Sequence, residues 1–165
     1  MKLAEFKKKV PHPLRPVTLI LLVDEDRVLL AMKKRGFGEG WWNGVGGKVE
    51  EGETIELAAK REAYEEIAVR PTKLNQAATI NFYFLDEPIE KNWNQQMHVF
   101  LCDSWAGEPK ESEEMRPEWH AKSRLPIDKM WPGDRIWMPK VLAGEKVKAD
   151  LAFNANKEVE EHIIY

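Results

Sequence analysis

Residues 47–69 read GKVEEGETIELAAKREAYEEIAV, a glycine-led acidic stretch that runs into a helix. Thr54 is placed to cap that helix, Leu57, Ala58, Tyr64 and Ile67 recur at helical spacing and predict one apolar side, and Pro71 stops the pattern. Glu62, Glu65 and Glu66 stand at i, i+3 and i+4, so their carboxylates project from one face. Like charges at that spacing repel by about 0.2–0.5 kcal/mol per pair. A bound divalent cation would offset the repulsion, because hard cations such as Mg²⁺ take oxygen ligands and keep positions for water and substrate phosphate. A solvated helix face is the other reading of such a cluster. The context favours a site: residues 50–66 carry seven glutamates against Lys60 and Arg61, a local charge of −5, and seven of the ten glycines fall in residues 36–52. Gly46 and Gly47 let the backbone approach a metal or a phosphate closely.

Outward from this stretch, Val17 to Val23 and Arg27 to Met32 are apolar, β-branched runs around Asp24, Glu25 and Asp26, which predicts a hairpin with an acidic turn. Ala77 to Leu85 and Met97 to Leu101 are strand-like, with an exposed connection from Asp86 to Gln96 between them. Gly107 to Pro117 reads as an acidic loop, Asp134 as the cap of a second helix ending near Leu142, and Val147 to Phe153 and Val159 to Tyr165 as weaker strands. Strands, loop, helix, strands, helix and a β-rich tail give an α/β (α+β) fold, a mixed sheet with helices on its faces, in one domain over residues 1–165.

Composition removes several function classes. With 43% hydrophobic and 32% charged residues the chain is neither disordered nor fibrous. Its longest apolar stretch stops at Asp24, far short of the ~20 residues that span a bilayer, and the Lys-rich start leads into no cleavage site, so a cytoplasmic protein without a membrane partner is expected. Cys102 is alone and the four histidines lack cysteines at zinc-ligand spacing. A net charge of −3 with no long basic stripe argues against duplex nucleic acid and leaves a single nucleotide possible.

The spacing Gly47-x5-Glu53-x7-Arg61-Glu62-Ala63-x-Glu65-Glu66-x-Ala68-Val69 resembles the signature box of the Nudix hydrolases, with every charged position matched. Ala63 stands where the box has a bulky aliphatic residue and Ala68 where it has glycine; a left-handed helix end at Ala68 would cost on the order of 1 kcal/mol. Met32 to Gly38, Trp42-Asn43-Gly44, Glu114 to Pro117 and Met130-Trp131-Pro132 extend the likeness to the MutT-homologue subfamily, hydrolases of oxidised purine nucleoside triphosphates. The resemblance implies a Nudix-type mixed sheet between helices and an Mg²⁺-dependent pyrophosphatase, with Mn²⁺ as a possible substitute, that converts substrates such as 8-oxo-dGTP to the monophosphate. It also implies metal ligands (the Gly47 carbonyl, Glu62, Glu65, Glu66 and Glu114), an orienting Arg61–Glu53 pair, and Glu66 in preference to Glu62 as the base.

By the same resemblance the purine sits among Phe37, Asn43, Phe82, Phe84, Met115, Trp131, Asp134 and Trp137. Trp131 can stack on a base, while Asn43 and Asp134 can read its polar edge. Phe82 and Phe84 share a sheet face as pocket wall or as core, Asn43 could serve only a turn, and Asp134 only the helix. Lys33 is either a phosphate contact or a surface lysine. Gly133 stands where the best-known subfamily members carry a second acid, so Asp134 is expected to ionise easily and favour guanine-type over adenine-type bases, with Gly133→Asp broadening the preference. A monomer acting on a small nucleotide is expected; a Nudix hydrolase of another diphosphate-linked substrate and a non-catalytic nucleotide-binding module are the alternatives.

Overall fold

In the computed structural model, which describes residues 2–165, the predicted hairpin pairs antiparallel as β1 (Arg15–Asp24) and β2 (Arg27–Lys33), with Asp24 opposite Arg27. Glu25 takes the left-handed φ of 55° that this two-residue turn demands. β3 (Trp42–Asn43) pairs with the far half of β2. The segment after it lies along the first half of β1, where the Ile20 N–H donates to the Val45 carbonyl at 2.6 Å and the Thr18 N–H to the Gly47 carbonyl at 2.8 Å. That approach requires glycine: a Cβ at Gly46 would lie 1.9 Å from the Thr18 carbonyl oxygen.

Helix α2 (Ile55–Ile67) begins at Thr54, whose hydroxyl accepts the Leu57 N–H, and ends at Ala68 in the left-handed conformation (φ 60°, ψ 29°). Its buried side is Ala58, Ala59, Ala63 and Ile67. The predicted apolar side is therefore corrected, since Leu57 and Tyr64 are exposed and Tyr64 instead lies under the Arg70 guanidinium. Small residues face β1, and Ala63 is fully buried in the cluster with Ile20 and Leu22.

β4 (Arg70–Pro71) pairs with β7 (Trp105–Ala106), and β5 (Asn75–Phe84) runs antiparallel to β6 (Gln95–Cys102). β6 is parallel to β1, and β5 is parallel to β9 (Val147–Phe153), which pairs with the edge strand β10 (Val159–Ile164). The expected acidic loop ends early: Met115 to Pro117 open β8 (Met115–Ala121), which lies along β2. Its alternation of charged with apolar residues suits an edge strand, where Pro117 is tolerated. The mixed sheet is thus β10-β9-β5-β6-β1-β2, with β3 and β8 on β2.

Helix α3 (Asp134–Leu142) covers one sheet face, where Trp137, Met138 and Val141 pack on Leu19, Ile80, Met97 and Leu151. On the other face α2 packs on Ile20, Leu22 and Phe100, and a helix absent from the sequence reading, α1 (Leu3–Lys9), packs Leu3 and Phe6 on Tyr83, Leu85 and Ala152. Among the described residues no helix is long and apolar enough to cross a membrane.

Candidate active site

A cleft of about 320 Å³ opens on the α3 side of the sheet, between β1, β5 and β6 below and the loops 33–48, 114–115 and 131–134 around it. Lys33, Phe37, Asn43, Gly47, Glu66, Phe82, Phe84, Glu114, Met115, Trp131 and Asp134 all line it. These residues, far apart in sequence, are brought by the fold to one surface.

At the acidic end, Arg61 ties α2 to the loop before it. Its Nε and Nη2 donate to the two Glu53 oxygens at 2.7 and 2.9 Å, Nη2 also reaches the Lys48 carbonyl, and Nη1 reaches Glu62 at 3.0 Å and Glu65 at 3.2 Å. Such a two-pronged pair is rigid. It seats the Glu62 carboxylate directly on Gly47, where a Cβ would lie 2.6 Å from Glu62 Cδ and Oε1. Glu66, one turn on, is largely buried, and its Oε2 is shut off from solvent with no hydrogen-bond partner. Burial pushes the Glu66 carboxyl up to about 8, the charges of Glu62 and Glu114 add to this, and Lys33 opposes it.

The helix face is less convergent than its spacing implies. Glu65 is exposed beside Arg61, Glu114 lies 3.6 Å from Arg35 Nη2, and among the described residues no three carboxylate, imidazole or thiol groups meet at one point. The donor set still fits a hard cation, because an orphaned buried carboxylate oxygen next to a second carboxylate is otherwise costly.

At the apolar end Trp131 lies between Phe37 and Trp41, with ring centres 5.2 and 5.0 Å away. Phe82 and Phe84 pack on Phe153 and face the cleft, which decides between the two readings of that pair in favour of a wall that is also half core. Asn43 Oδ1 accepts the Gly44 N–H at 2.8 Å, so its Nδ2 is left as a donor. Trp137 is fully buried and does not line the cleft; it underlies Asp134, whose charged form its indole favours without closing a full hydrogen bond.

Asp134 corrects two expectations. It is the first residue of α3 and caps nothing, the N-cap being Gly133. Nor does its isolation let it ionise easily, because burial pushes it up to about 7, against the pull of Trp137 and the Trp131 N–H. Desolvation does here what a neighbouring acid was expected to do. Gly133 is glycine for a packing reason: a Cβ would lie 2.7 Å from Leu151 Cδ1 and 3.2 Å from Phe153 Cζ. The sequence reading missed Trp41, Gln95 and Phe153 in the lining. The chain's seven tryptophans, many for 165 residues, were the signal for Trp41; Gln95 and Phe153 carried none.

The NUDIX domain model matches residues 13–141. The chain belongs to the Nudix family. As a Nudix protein it is 42% identical over 146 residues to an oxidized purine nucleoside triphosphate hydrolase of Danio rerio, spanning 88% of this chain and 91% of that one. A protein of the same description from Mus musculus is 46% identical over 132 residues, spanning 80% and 82%. Among solved structures, a mutator MutT protein from Bacillus halodurans superposes with a TM-score of 0.78 at 28% identity, covering 92% of this Nudix chain and 97% of its own. The Nudix fold expected from the resemblance is the one found.

Proposed function

We propose that the chain hydrolyses oxidised purine nucleoside triphosphates, such as 8-oxo-dGTP, to the monophosphate and pyrophosphate. The observation that carries this reading is one cleft with two unlike ends. One end has paired carboxylates with an unpartnered buried oxygen; the other has aromatic rings with an amide donor and a buried acid. The names of the Danio rerio and Mus musculus relatives support the substrate class.

Glu62, Glu66 and the Gly47 carbonyl would hold Mg²⁺ or Mn²⁺, with Glu65 and Glu114 joining once their side chains turn from Arg61 and Arg35. That cation would supply Lewis-acid polarisation of a phosphoryl oxygen and charge neutralisation for the leaving pyrophosphate. Arg61 and Glu53 hold the loop and α2 in register, so the Gly47 backbone and Glu62 face the same point. With the cation bound, its charge would hold Glu66 as the carboxylate against the pull of burial, and in that form Glu66 takes the proton of the attacking water. Lys33, on the cleft wall, contacts the phosphate chain. Trp131 stacks on the base, and Asn43 Nδ2 and Asp134 read its edge.

Pyrophosphate release across oxidised, methylated and ordinary purine triphosphates tests the reading. The oxidised purines are expected to show the highest kcat/KM. A preference for a dinucleoside polyphosphate or a nucleotide sugar would replace it.

A further inference from the structure

The connection between β5 and β6 carries a ring that the base pocket described above does not include. Trp93 stands edge-on to Phe84, with ring centres 6.0 Å apart at 84°, and 6.4 Å from Phe37. It joins a chain of ring contacts that runs from Trp41 through Trp131, Phe37, Trp93 and Phe84 to Phe153, all of which line the cleft except Trp93, which stands just outside it.

The plane of Trp93 is fixed from outside. Lys91 Nζ and Lys157 Nζ lie 4.7 and 4.9 Å from its ring centre, and both ammonium groups pair with Glu87, at 2.8 and 3.5 Å. The next residue, Asn94, is buried and accepts the Phe84 N–H at 2.8 Å, which anchors the connection to β5. Phe37 is the opposite case: 65% exposed, between Gly36 and Gly38 with φ of 81° and 86°, it spans from Trp131 to Trp93 with one side open to water. A flat apolar ligand seated there would cover that exposed ring.

We propose that Trp93 is a further base-binding residue, which with Phe37 closes the open side of the pocket over the outward edge of a purine stacked on Trp131. This rests on the reading of the cleft as a purine nucleotide site. Glu87 acts through Lys91 and Lys157 as the brace of that ring.

The test is steady-state hydrolysis of 8-oxo-dGTP together with calorimetric binding of 8-oxo-dGMP, for wild type, Trp93→Ala, Trp93→Phe and Glu87→Gln. Trp93→Ala is expected to raise KM and the monophosphate Kd about five- to tenfold with kcat within about twofold, as loss of an aromatic contact to the base does. Trp93→Phe should recover most of the loss, and Glu87→Gln should show a smaller rise, about two- to threefold. Unchanged KM and Kd in Trp93→Ala would overturn the proposal. If that variant does not fold, Trp93→Leu, which keeps apolar volume and loses the ring face, is read the same way. A wild-type chain that binds 8-oxo-dGMP through Trp93 yet releases no pyrophosphate from 8-oxo-dGTP would overturn the proposed activity and leave Trp93 standing.

Discussion

Gly47 has no room for a side chain because the Glu62 carboxylate rests on its Cα, and Arg61 prevents that carboxylate from backing away. Gly47→Ala is therefore expected to displace Glu62, raise the Mg²⁺ concentration for half-maximal activity and lower kcat at least about tenfold, while the melting temperature changes little. Kinetics at several Mg²⁺ concentrations check this; unaltered Mg²⁺ dependence would dissociate Glu62 from the site. Burial pushes Asp134 up to about 7, so the proposed base-reading carboxyl would change protonation within the physiological range. Below that value the neutral carboxyl donates a hydrogen bond, which suits the unprotonated N1 of an adenine-type base. Above it the carboxylate accepts one, which suits the N1–H of a guanine type. The ratio of kcat/KM for oxidised guanine over oxidised adenine triphosphates should rise from pH 6 to pH 8, and Asp134→Asn should flatten it. The Asp134 titration was not legible in the sequence, because it comes from burial under α3.

Helix α2 ends at Ala68, in a conformation that costs an L-residue with a Cβ about 1 kcal/mol or more. Ala68→Gly is expected to raise stability by about 1 kcal/mol, read as a melting temperature higher by about 2–4 °C, with no change in kcat. The extent of α2 and its Thr54 cap were legible because spacing and residue type determine them locally, and the Arg61–Glu53 pair because the family resemblance implied it. Its buried side was not. Leu57 and Tyr64 look like core by hydropathy, but the helix meets β1 through Ala59, Ala63 and Ile67, so the packing of helix on sheet overrode the pattern. β8 was missed for a related reason: Arg116, Glu118 and His120 make it look like loop, and only its pairing with β2 at the sheet edge accounts for them.

At the scale of the molecule, the two chain ends meet at Asp150. This fully buried carboxylate accepts from Lys7 Nζ at 2.6 Å, from the Tyr165 hydroxyl at 2.6 Å and from Asn81 Nδ2 at 2.9 Å. Burial works against its ionisation, yet these three partners hold it below the usual carboxylate range. A seven-residue helix without a side-chain cap leaves little trace in sequence, and α1 is made by this ion pair and by Leu3 and Phe6 on the sheet. Lys7→Met is expected to cost on the order of 3 kcal/mol, because it leaves a buried charge without its cation, and thermal denaturation reads the loss. The same sheet carries the cleft on its other face. The proposed role of that cleft is tested most directly by Glu66→Gln in pyrophosphate release from 8-oxo-dGTP. Wild type is expected to be active only with added Mg²⁺ or Mn²⁺, and the variant, with KM within a few-fold, to lose at least about 100-fold in kcat. A variant within a few-fold of wild type, or wild-type activity indifferent to the cation, would contradict it.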